Sequence, residues 1–169
     1  MPNIDTIISG YNKKILCTTC APQNLSTNCN YRGGTKNCPI NGNCLSKSIV
    51  YKAEITTSDS TAKYIGVASY SFKERFSNHT LSFDHQKYQH HTSLSKYVGD
   101  LKNKKKPFKI SWSIVGKAPP YNPSAKTCKL CILEKTLILI NKEDNLLNKR
   151  SELMNKCRHR EQFLLSNCQ

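Results

Sequence analysis

The stretch IVYKAEITTSDSTAKYIGVASYSFKERFSNHTLSF, from Ile49 to Phe83, decides the fold. Ile49, Tyr51 and Ala53 alternate with Val50, Lys52 and Glu54. A second β-like run from Ala62 to Val67 follows across the polar loop Thr57, Ser58, Asp59 and Ser60, and the pair predicts a β-hairpin. Ser71 with Glu74 three residues on is a capping-box pattern, and Phe72, Phe76 and Leu81 give the next segment an apolar face. That predicts a helix from Phe72 to Phe83.

Outward from this stretch, Leu94, Tyr97, Val98 and Leu101 recur at helical spacing and predict a second helix from Ser93 to Lys104. Lys104-Lys105-Lys106-Pro107 ends it, and the alternation of Phe108, Ile110, Trp112 and Ile114 predicts a third strand from Phe108 to Val115. Gly116 to Lys126, with three prolines, reads as a loop. Thr127 to Asn141 reads as the most apolar helix, and Arg150 to Arg160 as a shorter basic one. The order β-β-α-α-β-α-α implies an α+β domain, a small antiparallel sheet flanked by helices. Before it, residues 1–47 hold five cysteines, few large apolar residues and the turn formers Arg32-Gly33-Gly34-Thr35-Lys36-Asn37. This segment cannot bury a core alone and is expected to be a Cys-rich zinc-binding appendage to a domain spanning 48–169.

The whole chain has 169 residues and a formal charge of +15, which points to a polyanionic partner. Hydrophobic residues make up 37%, below the roughly 45% of an average globular domain, but the periodicity after Ser48 argues for a folded chain. The longest apolar run, Leu137-Ile138-Leu139-Ile140, is far short of the about 20 residues a spanning helix needs, and no signal-peptide core is visible. The expectation is a soluble protein, not exported by a cleaved leader and with no membrane partner. Nine cysteines then favour metal over disulfides, because a Cys-x2-Cys spacing lets two thiolates of one tight turn reach one zinc ion.

Two groups of residues carry reaction chemistry. Arg75 and His79, four apart on the Phe72 to Phe83 helix, share a face, and Tyr51 and Tyr64 lie on the hairpin strands. A guanidinium binds two phosphate oxygens at once, and a phenol or imidazole can move a proton, so the set suits cleavage of a phosphodiester. Glu134 sits in the centre of Leu130-Cys131-Ile132-Leu133-Glu134-Lys135-Thr136-Leu137-Ile138, where a carboxylate needs a cation or a metal; a surface Glu beside Lys135 is the plainer alternative. Asn148 suits hydrogen bonding to a phosphate or water, and equally a cap on the last helix.

The series Tyr51, Tyr64-Ile65-Gly66, Arg75, His79, Glu134 and Asn148, over about Ser48 to Leu153, resembles the GIY-YIG endonuclease domain, with isoleucine at 49 where the family name has glycine. More narrowly, Cys38-Pro39-Ile40-Asn41-Gly42-Asn43-Cys44-Leu45, Val50-Tyr51-Lys52-Ala53, Leu94-Ser95-Lys96-Tyr97, Cys128-Lys129-Leu130-Cys131 and Leu147-Asn148-Lys149-Arg150-Ser151-Glu152 are similar to the C-terminal region of Penelope-like retroelement polyproteins. The resemblance implies a metal-dependent endonuclease that nicks target DNA. It holds one catalytic magnesium or manganese ion at Glu134, with Tyr51 helping to activate water, Tyr64 and His79 positioning it or passing the proton, and Arg75 stabilising the pentavalent phosphate. Gly66 is expected where the backbone approaches closely.

On the same resemblance, Cys128, Cys131, Cys157 and His159 form a structural Cys3His zinc site tying Glu134 to the last helix. Cys29, Cys38 and Cys44 supply three ligands of a second knuckle, with Tyr31 standing where the family has its usual cysteine; Cys17 or Cys20 replaces it, Cys20 being favoured, or the site has decayed, and Cys168 is left as a free thiol. DNA contact is expected from Lys102, Lys104, Lys105, Lys106 and Lys109, and from Lys149, Arg150, Arg158 and Arg160. The implied partners are DNA, element RNA and a reverse transcriptase domain of the same polyprotein, in an intracellular, nuclear setting. The competing reading is a zinc-stabilised DNA-binding module, derived from a mobile element, that no longer cuts. His85, His90 and His91 carry no assigned role.

Overall fold

A computed structural model describes residues 38–125, 127–141 and 145–149, together with Leu153, Lys156, Cys157 and His159. Strands β1 (Ile49–Thr57) and β2 (Thr61–Ala68) form the expected hairpin, and helices α1 (Phe72–Asp84) and α2 (Ser93–Asn103) follow, joined through a 3₁₀ turn at Gln86–Tyr88. Strand β3 (Phe108–Lys117) and helix α3 (Lys129–Ile140) complete the described elements. The sheet is antiparallel in the order β2-β1-β3, so the first strand is central. This is the α+β architecture that the pattern of elements implied. No helix among the described residues is long and apolar enough to cross a membrane.

Local chemistry explains the boundaries. The Ser71 hydroxyl accepts from the Glu74 N–H at 3.3 Å and starts α1. A reciprocal box starts α2, where Thr92 and Ser95 each accept from the other's backbone N–H. Period-two burial along β1 then splits the apolar residues between two faces of the sheet. On one face Tyr51, Ala53, Ile55, Tyr64, Ile110 and Trp112 pack under Phe72, Phe83, Leu94, Val98 and Leu101 of the helix pair. On the other, Val50 and Ile65 meet Leu130 and Ile138 of α3, together with Ala118 and Cys128.

Cys38, Ile40 and Cys44 belong to the first of these cores. Their loop turns through Asn41 (φ 46°) and Gly42 (φ 84°) and docks on the start of α1, where Lys73 N–H donates to Cys44 O at 2.8 Å. The outward edge of β2 is also covered. Lys63 makes a parallel bridge with Leu146, Asn145 Nδ2 donates to Thr61 O, and Asn148 closes on Ile65.

Candidate functional site

Tyr51 sits in the central strand with none of its surface exposed, and its hydroxyl lies 2.6 Å from His79 Nε2. The same hydroxyl accepts from Arg75 Nε at 3.1 Å. Arg75 and His79 are four positions apart, so one turn of α1 delivers both groups onto one phenol. The pairing of Tyr51 opposite Gly66 makes room for the ring, because the glycine has no side chain to occupy that space. On the other side of β1 the register slips by one residue between Val50 and Tyr51, leaving Val115 as the extra residue beside the site.

The electrostatics follow from burial and neighbours. Desolvation, with the Arg75 charge adding, pushes the His79 pKa down to about 3, so the ring is neutral where it shares a hydrogen bond with the Tyr51 hydroxyl. Arg75 is held above its ordinary value, first by the charge Tyr51 carries when ionised and further by Tyr64, with burial opposing; it stays a cation.

Of the six residues expected to carry chemistry, Tyr64, Arg75, Glu134 and Asn148 line one cavity of about 430 Å³. Tyr51 and His79 stand behind it, reaching it through Arg75. Asn148 has a further use: its Oδ1 accepts from Ile65 N–H and its Nδ2 donates to Ile65 O, each at 2.8 Å, so it extends the sheet edge in the manner of a strand residue. Cys131, Glu134, Lys135 and Ile138 bring one face of α3 to the same cavity, whose lining also includes Lys156 and His159.

The cluster beside it is built for a soft cation. Ligand atoms of Cys128, Cys131, Cys157 and His159 all lie within 4.8 Å of one another. His159 Nδ1 is 3.4 Å from Cys128 Sγ, 3.3 Å from Cys131 Sγ and 3.5 Å from Cys157 Sγ. Cys131 and Cys157 sulfurs are 3.5 Å apart. Bonds of about 2.3 Å to sulfur and 2.0–2.1 Å to nitrogen around a tetrahedral zinc ion set such atoms roughly 3.5–3.8 Å apart, so the donor set and its spacing fit zinc. Burial pushes the Cys131 thiol up, with Cys157 and Cys128 adding, and lowers the pKa of His159, keeping its imidazole neutral as a ligand must be. The second ring nitrogen, Nε2, is hydrogen-bonded to Ser69 Oγ, which turns Nδ1 toward the sulfurs. No local pattern in the sequence pointed to Ser69, whose role depends on a residue 90 positions away.

The upstream cysteines are partly in view. Cys38 and Cys44 are buried with their sulfurs 3.1 Å apart, and Gly42 N–H donates to Cys38 Sγ at 3.2 Å. Cys20 and Cys29, expected to join them, lie outside the described residues, as does Cys168.

The expected DNA-contacting lysines divide. Lys104, Lys105 and Lys109 are exposed, whereas Lys106 is ion-paired with Asp59, and Lys102 donates to Phe83 O at 2.6 Å and to Asp84 at 3.1 Å. The register that sets Lys109 against Thr56 and Ala68 against Ile49 puts these lysines at the hairpin-tip end of the sheet, roughly 20 Å along the strand from the Ala68 end of the cavity. Lys149 is exposed near Asn148, while Arg150, Arg158 and Arg160 lie outside the described residues. Comparison with protein-family models, with curated proteins and with solved structures finds no match for this chain.

Proposed function

We propose that the chain is a metal-dependent DNA endonuclease of the GIY-YIG type, related to Penelope-like retroelements, which hydrolyses a phosphodiester to nick target DNA. The observation that carries this reading is the grouping of Tyr64, Arg75 and Glu134 on one cavity, with Arg75 braced from behind by Tyr51. The half-buried Glu134 carboxylate is an oxygen donor of the kind a hard divalent cation takes. Glu134 would hold a magnesium or manganese ion, whose chemistry there would be to neutralise charge at the phosphate and the leaving oxygen.

The chain's own residues supply the rest. Arg75 binds a non-bridging phosphate oxygen and stabilises the added charge as water attacks phosphorus and the P–O bond to the leaving oxygen breaks. Tyr64, at the cavity wall, orients that water and takes part in moving its proton. Tyr51 acts as a positioning residue: its hydroxyl is hydrogen-bonded to neutral His79 and accepts from Arg75, which fixes the guanidinium. On this reading the zinc cluster is structural, exposed lysines track the DNA backbone, and a reverse transcriptase domain and element RNA are partners in the nucleus.

The test is nicking of supercoiled plasmid by zinc-loaded protein with magnesium or manganese, compared with Glu134→Ala and Arg75→Ala. Metal-dependent nicking that drops at least about 100-fold in both variants is the expected result. A wild type that binds the plasmid without cutting it overturns the reading in favour of a DNA-binding module.

A further inference from the structure

The cavity is larger than one reacting phosphate needs. A volume of about 430 Å³ is of the size that encloses a small organic ligand, and Tyr64, Arg75 and Glu134 account for the phosphate alone. The remaining wall comes from the β2–α1 connection, the middle of α1 and the approach to α2, and it carries Tyr70, Asn78 and His91. Tyr70 is 63% exposed and is the only exposed Phe, Trp or Tyr among the described residues; the other rings of these three types are buried or half-buried. An aromatic face left in water beside a cavity that carries Arg75, Lys135 and Lys156 along with Glu74 and Glu134 is a stacking surface, since every nucleobase offers a π-face. The Asn78 amide, exposed on α1, presents a donor and an acceptor together, the pattern that pairs with a base edge.

We propose that this half of the cavity receives one unpaired nucleobase of the DNA next to the reacting phosphate, Tyr70 stacking on it and Asn78 hydrogen-bonding its edge. The inference rests on the nuclease reading of the same cavity and names its substrate class. A base within a continuous duplex has both faces covered by its neighbours, so the preferred DNA carries a bulged, mismatched or single-stranded nucleotide. Lys135 and Lys156 on the lining hold the adjoining phosphates.

The test is binding of two oligonucleotide duplexes to the zinc-loaded full chain in magnesium-free buffer, one fully paired and one with a single bulged 2-aminopurine. The expected result is about tenfold tighter binding of the bulged duplex, with quenching of the 2-aminopurine fluorescence. Tyr70→Ala removes the preference and the quenching, and Tyr70→Trp keeps both. Equal affinity for the two duplexes, or a preference that survives Tyr70→Ala, overturns the inference. Because binding is read without magnesium, the two claims separate. Plasmid nicking without quenching removes the base pocket and leaves the nuclease; quenching without nicking removes the nuclease and leaves a base-binding pocket.

Discussion

The Tyr51 hydroxyl occupies the space a side chain at Gly66 would need: a Cβ built there lies 2.5 Å from Tyr51 Oη, 2.8 Å from Cζ and 3.0 Å from Tyr64 Cε1. Tyr51 cannot yield, because it is fully buried and held by His79 and Arg75. Gly66→Ala is therefore expected to destabilise the fold by about 1–3 kcal/mol in urea denaturation. Tyr51→Phe, which removes the oxygen, relieves part of that loss, so the double variant is less destabilised than the sum of the singles. Strict additivity would show that the two positions do not compete for space.

Stability should fall in acid through His79. Its folded pKa, about 3, lies below the ordinary value of 6.5, so between these limits the unfolded chain binds the proton and the folded one does not. The contribution is complete above pH 6.5 and is lost as pH falls toward 3, on the order of 3–5 kcal/mol over that window. Urea midpoints at pH 7 and pH 4.5 measure it, and His79→Gln should flatten the difference. A variant with the wild-type slope would place the acid sensitivity elsewhere.

Cobalt substitution reports directly on the Cys3His cluster. One ion per chain at Cys128, Cys131, Cys157 and His159 should give the visible spectrum of a tetrahedral thiolate site, and Cys131→Ser should lower zinc content by one equivalent. Ser69→Ala keeps all four ligands but frees His159 Nε2, and metal affinity is expected to fall about 10- to 100-fold. Unchanged affinity would mean that Ser69 does not orient the ring.

Asn148 replaces a strand residue with a side chain, so its loss should be felt at Ile65. In Asn148→Ala the Ile65 N–H and C=O lose both partners at once, at a cost of about 1–3 kcal/mol. Amide exchange at Ile65 should accelerate well before that of Lys52, in the central strand opposite. Equal protection at both positions would argue against the edge contact.

Elements specified by neighbouring residues were legible in the sequence. Helix α1 was expected over Phe72 to Phe83 and spans Phe72–Asp84, because Ser71 and the phenylalanine spacing are local signals. The α2 and β3 starts at Ser93 and Phe108 agree for the same reason. Strand order was not legible: alternation along β1 marks one buried face, while Lys52, Glu54 and Thr56 leave the other part-exposed as an edge strand's would be, and only its pairing with β3 makes it central. Tyr51 was expected at the reacting water, yet its burial behind Arg75 depends on where α1 packs. Asn148 read as a phosphate ligand or a helix cap, since nothing near it in sequence announces Ile65, 83 residues away.

That separation has a consequence for synthesis. The outward side of β2 is complete only once residues 145–148 have been made, whereas β2 itself ends at Ala68. At roughly 5–20 residues per second, the nascent chain carries a bare strand edge for about 4–16 s after the hairpin exists. A bare edge is a template for pairing with another chain, so the outward side of β2 is where association between nascent chains is expected to start.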